Sequence, residues 1–132
     1  VSALAEALVA AQAELPCTLG KDADGQIGER GYRYLTLDKL IAETRPILTK
    51  HGLTIMQWPA AEQRGDAMVP MLITQIHHVG GQVFQYGTPL YLTEKTMQGL
   101  GAAITYARRY AWQSVLGIAA EEDTDAKDEI PF

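Results

Sequence analysis

The chain has 132 residues, 47% of them hydrophobic and 20% charged, enough to bury one core and too apolar for a largely disordered segment. Its net charge of −5 excludes a globally basic surface, and no apolar run approaches the roughly 18 to 20 residues that a membrane span needs. The single cysteine, Cys17, excludes an internal disulfide and a cysteine-rich zinc centre and points to a reducing, cytoplasmic compartment.

Leu4, Leu8, Ala11 and Leu15 stand at helical spacing behind Ser2, so residues 2–14 predict a first helix, ended by Pro16. This opening is acidic and lacks the basic stretch of a signal peptide. Residues 20–31, GKDADGQIGERG, predict an exposed, mobile loop or hairpin tip. Thr36 is placed to cap a second helix to about Lys50 that buries Leu37, Leu40, Ile41, Ile47 and Leu48, with Gly52 as its stop. Pro46 inside that pattern predicts a kink or a restart.

Residues 53–59, 67–79 and 82–92 then carry strand signals, the last two meeting across Gly80-Gly81 as a two-residue hairpin turn. Pro70 and Pro89 cannot donate ladder hydrogen bonds and predict strand ends or edges. Thr93 is expected to cap a long helix from about Glu94 to Leu116, stopped by Gly117. The predicted fold class is α+β, a three-stranded antiparallel meander packed by a long C-terminal helix, with N-terminal helices and an acidic tail. Residues 121–129 hold six acids and Lys127, a local charge of −5, while residues 1–120 carry ten bases and ten acids. The division expected is a folded domain over 1–120 and a flexible acidic tail over 121–132. Any phosphate-binding surface on the neutral body must then be a local patch.

On a helical wheel, Met97, Leu100, Ile104, Ala107, Ala111 and Val115 share the face expected to pack on the sheet. Gln98, Thr105, Arg109 and Gln113 take the opposite, exposed side, Tyr106 and Tyr110 flank them, and Arg108 borders the packed face. Gly99, Gly101, Ala102 and Ala103 leave the first turns narrow enough for another backbone to approach closely. Arginine forks grip phosphates, amides reach sugar or base edges, and tyrosine rings offer stacking surfaces, so this side suits a nucleic-acid strand. An ordinary amphipathic helix with solvated arginines and tyrosines is the alternative. Trp112 is core or interface.

Elsewhere the residues suggest ordinary structural roles. His77 and His78 are strand neighbours on opposite faces and cannot chelate one metal together. His51 near a helix end meets the dipole or caps carbonyls. Cys17 is expected to be a buried structural thiol, distant from any base. Gly20-Lys21-Asp22 lacks the spacing of a phosphate-binding P-loop, and the carboxylates at 121–123 have no partner block upstream for a two-metal nuclease. No cofactor and no metal are expected.

Two longer blocks carry a resemblance. Gln98–Asp123, QGLGAAITYARRYAWQSVLGIAAEED, and the upstream stretch YRYLTLDKLIAETRPILTKHGLTIMQ closely resemble the recurring blocks of the Erf family of phage single-strand annealing proteins, in order and spacing. The resemblance implies a β-β-β-α annealing-protein core, oligomeric rings or filaments, and ATP-independent pairing of complementary strands in phage homologous recombination, without enzymatic turnover. It implies phosphate contacts at Arg108 and Arg109 and a basic contact at Arg33 between Tyr32 and Tyr34. Lys95, Gln98 and Thr105 are secondary candidates for single-stranded DNA, and Lys21 and Arg30 weaker ones. The long variable C-terminal region of many family members is little represented here. A coating protector or recombination loader that does not anneal is the second reading, and a small metal-dependent nuclease the third. The final residues Asp128, Glu129, Ile130, Pro131 and Phe132 resemble the acidic, Pro-Phe-ended tip of bacterial single-stranded-DNA-binding proteins. They read either as a docking tip for host replication or repair proteins or as a solvated tail.

Overall fold

A computed structural model describes residues 2–121; the predicted acidic tail from Glu122 onward, with its DEIPF end, lies outside the described residues. Helix α1 (Ala3–Glu14) is capped by the Ser2 hydroxyl, which accepts from the Ala5 amide at 3.3 Å, and buries Leu4, Ala7 and Ala11. A short strand β1 (Thr18–Leu19) pairs in parallel with the last strand, β7 (Ala119–Ala120). The glycine-rich segment is a hairpin of β2 (Ala23–Ile27) and β3 (Arg30–Tyr34), turned at Gly28 with φ 61°.

Asp22 ties that hairpin to helix α2 (Leu37–Lys50). Its carboxylate accepts from the Thr36 amide at 2.7 Å and from the Thr36 hydroxyl at 2.6 Å, and the same hydroxyl caps α2 by accepting from the Lys39 amide. Burial alone would raise the Asp22 pKa; the Thr36 hydrogen bonds outweigh it and hold the group below its ordinary 3.8. Of the kink or restart expected at Pro46, the restart does not occur, since α2 runs unbroken from Leu37 to Lys50. Thr49 answers the crowded end of that helix by donating its hydroxyl to the Arg45 and Pro46 carbonyls.

Strands β4 (Leu53–Arg64), β5 (Ala67–His78) and β6 (Val83–Pro89) form an antiparallel sheet in chain order. The first turn, Gly65-Asp66, was not foreseen, because Ala60–Arg64 lack β-branched residues; β5 continues the ladder there and carries β4 with it. At Gly80-Gly81 the connection is not the two-residue turn expected. Three residues, Val79 to Gly81, stand inside a closed pair in which the His78 amide donates to the Gln82 carbonyl, with Gly81 at φ 100°. Pro70 lies inside β5, not at its end. Its carbonyl accepts from the Leu90 amide, so its nitrogen faces the side where β6 has already run out. Strand parity turns the nitrogens of Pro59 and Pro89 outward as well, so no proline breaks the ladder.

Helix α3 (Met97–Leu116) starts later than expected. Thr96, not Thr93, is the cap, accepting from the Gly99 amide at 2.9 Å, and a side chain at Gly99 would run into the Glu94 carbonyl. The close backbone approach anticipated at the small residues is thus made at Gly99 by the chain's own entry segment. One face of α3 packs Ala107 and Ala111 against Leu72 and Leu90, and Tyr86 donates its hydroxyl to the Ala111 carbonyl at 2.7 Å. The wheel is corrected at both edges: Met97 is 82% exposed, whereas Arg109 and Gln113 are each only 7% exposed. A helix with one partner would expose them, but α3 is covered on a second side. Trp112 is core, donating its indole N–H to Thr44 of α2 at 2.9 Å, and Tyr34 of the hairpin closes over Arg109. Leu40, Leu48, Leu53, Ile55, Ile76, Trp112 and Leu116 form the heart of the main core. Cys17 is exposed, contrary to expectation, because Pro16 ends α1 before the chain turns inward at β1.

Candidate nucleic-acid interface

The two sequence blocks meet in space at one guanidinium. Tyr106 and Tyr110, four residues apart and so on one side of α3, flank Arg109 from its own helix. The Arg109 Cζ lies 4.9 Å from the Tyr106 ring centroid and 5.0 Å from that of Tyr110. Tyr34, delivered by the hairpin, supplies a third ring at 5.1 Å. The rings continue outward: Tyr32 and Tyr34 are 5.8 Å apart at 37°, and Tyr106 and Tyr110 are 4.9 Å apart at 41°. Four tyrosines and one arginine therefore form a single aromatic strip, and all four rings are half-buried with an accessible side. Among the described residues no carboxylate pairs with Arg109, so the ring quadrupoles stabilise its charge in a low-dielectric place.

The hairpin is built to present Tyr32. Its ring lies across Gly25, the residue opposite it on β2, where any Cβ would collide with it. Arg33, between the two tyrosines, takes the other face of the strand. It pairs with Asp24 at 3.4 Å, donates to the Lys21 carbonyl at 3.1 Å, and keeps its side chain 64% exposed.

Arg108 is engaged differently. Its Nε donates to Gln57 Oε1 at 3.4 Å, while Gln57 returns a hydrogen bond to the Arg108 carbonyl at 3.2 Å and another to Thr74. That reciprocal clamp fastens α3 to β4 and β5. The roles expected of the two arginines are thus corrected in one respect. Arg109, assigned to the exposed side, is the enclosed one, because the hairpin folds over it; Arg108 borders the packed face as expected and is half-buried.

Gln98, Gly101, Ala102 and Thr105 are exposed, and with Arg109 they recur at helical spacing along one stripe of α3. A Cβ at Gly101 would meet no atom within 4 Å. This open, small-residue track leads from the helix start to the tyrosines. Lys95 is exposed just before the cap and outside the helix. Between Pro89–Thr93 and Gly99–Ala107 a largely apolar groove of about 190 Å³ runs beside the track. The structure brings Tyr32, Tyr34 and Arg109 together and leaves Arg33, Lys95, Gln98 and Thr105 at the edges. Tyr106 and Tyr110 had been noted only as flanking rings; their spacing around Arg109 was the available signal for a cage.

His77 and His78 point to opposite faces, His77 bonded to Gln75 at 2.6 Å and His78 accepting from the Gly80 amide at 2.9 Å. Among the described residues there is no group of three or more metal-ligating side chains, and no helix is long and apolar enough to cross a membrane. No curated protein and no solved structure matches the chain. The family comparison does: residues 4–131, nearly the whole sequence, match the ERF superfamily, and the chain belongs to it.

Proposed function

We propose that the protein binds single-stranded DNA and anneals complementary strands without ATP, as an oligomer acting in phage recombination in the cytoplasm of the bacterial host. The observation that carries this reading is the strip of Tyr32, Tyr34, Tyr106 and Tyr110 joined through Arg109. Every base has a π-face, so tyrosine platforms hold a strand without reading its sequence. Phosphates meet the exposed Arg33, with Lys95, Gln98 and Thr105 along the α3 track. Arg109 acts as a positioning residue that holds the rings, and Arg108 holds the helix to the sheet. Backbone contacts that carry no sequence information leave base edges available for pairing, which is what annealing requires. The folded unit is residues 1–120. The acidic segment 121–132 is a tail whose Asp128–Phe132 end docks host replication or repair proteins.

Fluorescence anisotropy with single-stranded oligonucleotides of unrelated sequence tests binding, and a strand-pairing assay without ATP and with excess chelator tests annealing. Similar affinities for all sequences with accelerated pairing are expected. Coating without faster pairing would reduce the protein to a protector or loader, and chelator-sensitive cleavage would make it a nuclease.

A further inference from the structure

The β4–β5 hairpin is longer than the body beneath it. β6 pairs only with residues 71–77 of β5, so Ala60–Arg64 and Ala67–Pro70 continue as a two-stranded arm. The arm's two faces differ in chemistry. Register puts Glu62 and Arg64, an ion pair at 3.5 Å, on one face with Ala60, Ala67 and Val69. On the other face it puts Pro59, Ala61, Gln63, Met68 and Pro70, without a charge. That uncharged face is the one that, nearer the body, packs Leu72 and Thr74 toward α3. On the arm no described residue covers it, and Ala61, Gln63 and Met68 are exposed. A two-stranded ribbon is marginal in water unless its apolar side is packed.

A matching surface lies on the opposite side of the sheet. Thr54, Met56 and Trp58 of β4, Ile73, Gln75 and His77 of β5, and Val83, Gln85 and Gly87 of β6 share one face, and none is a lysine, arginine, aspartate or glutamate. Gly87 keeps this face flat, its missing side chain leaving room for Met71 and Ile73 to lie across β6. Met56, Trp58 and Val83 stand exposed on it. No lysine or arginine stands on this face to neutralise a phosphate. Depletion of charge with methionine and tryptophan exposed is the composition of a protein interface core.

We infer that the uncharged face of the arm docks on the open sheet face of a second copy of the chain. The partition of charge on the arm selects that partner: the side free of ions meets the face free of ions, and Glu62 and Arg64 stay in water. The contact is heterologous, arm to face, so it propagates into a ring or filament. It rests on the oligomeric reading above and names the surfaces that would build it.

Two pairs of exposed substitutions test it, Ala61→Glu with Met68→Glu on the arm and Met56→Glu with Val83→Glu on the face. Mass is read by light scattering, folding by thermal melting, and DNA binding by anisotropy with a short oligonucleotide. Each double variant is expected to keep a single cooperative melting transition and to fall to monomers. Mixed in equal amounts, the two should form dimers and stop there, since one arm and one face remain intact between them. Variants that assemble like the parent, or a mixture that stays monomeric, would overturn the arm-to-face contact while leaving oligomerisation standing. A parent chain that is monomeric with and without DNA would remove oligomerisation itself, and the contact with it. Loss of oligonucleotide binding by the monomeric face variant would make this face a DNA surface and overturn the proposal.

Discussion

Arg109 and Arg33 divide between them the two things an arginine can do beside tyrosines. Arg109 is enclosed by three rings, and a desolvated cation–π contact contributes about 2 kcal/mol. Arg109→Ala is therefore expected to lower the unfolding free energy by roughly 2 to 4 kcal/mol, allowing for overlap among the three. Arg109→Lys, which keeps the charge but not the flat plate, should recover only part of that. Arg33→Ala, at an exposed site, should change stability by less than about 0.5 kcal/mol while weakening DNA binding. Urea titration with parallel anisotropy separates them; equal stability losses would erase the distinction. Asp22 adds a pH dependence of known sign. Its folded pKa is lowered, so its contribution is complete above the unfolded value and is lost as pH falls through the folded one, below 3.8. Hydrogen exchange at Thr36 and along 23–34 should accelerate in that range, and Asp22→Asn should remove the transition. The family resemblance had already named Arg33 as a basic contact, but the enclosure of Arg109 was not legible in the sequence. A wheel sees one helix and one buried side, and the residue that closes over Arg109 is Tyr34, 75 positions away.

At the scale of elements, the same blindness to second neighbours accounts for most departures. The existence, type and order of the three helices and three long strands followed from period and caps. What did not follow was coverage. Helix α3 reads as singly amphipathic because Gln113 and Arg109 are polar, yet both are buried, Arg109 under Tyr34 of the hairpin and Gln113 beside the Ile118 carbonyl to which it donates. The tie between α2 and α3 is the hydrogen bond from Trp112 to Thr44, whose hydroxyl also donates to the Leu40 carbonyl. Thr44→Val keeps the shape and strands a buried indole N–H, a cost of about 1 to 3 kcal/mol. The expected result is a lower urea midpoint with little change in the denaturant slope and unchanged DNA affinity once the variant is folded. No loss of stability would mean that the indole finds another acceptor. The extension of β4 through Ala60–Arg64 was hidden for a different reason. Those residues have weak strand preference, and only pairing with Ala67–Met71 makes them a strand.

Over the whole molecule, the aromatic strip and the uncharged sheet face lie on opposite sides of one layer pair. Ala107 and Ala111 face the sheet, so Arg109 and its rings face away from it across the thickness of α3. The open face lies beyond the sheet. The assembly and the strand binding proposed above would therefore not compete for surface. The charge distribution then sets how binding responds to salt. Residues 1–120 are neutral, and many of their bases are engaged: Lys39 with the Gly20 carbonyl, Lys50 with Glu14, Arg64 with Glu62, Arg108 with Gln57, while Arg33 pairs with Asp24 but keeps most of its side chain exposed. Few cations per copy are left for phosphates. Each phosphate neutralised on a single strand adds about 0.7 to the slope of log affinity against log salt. Removing Arg33 and Lys95 together should thus flatten the slope of a one-copy complex by about 1.4. Stacking on tyrosines releases no counterions, so the remaining affinity should persist at high salt. Tyr32→Ala with Tyr106→Ala is expected to do the reverse, lowering affinity at every salt concentration and leaving the slope unchanged. Anisotropy across a salt series with a short oligonucleotide reads both. An unchanged slope in the Arg33, Lys95 variant would move the phosphate path elsewhere on the chain, and a flattened slope in the tyrosine variant would mean that the rings position cations instead of stacking on bases.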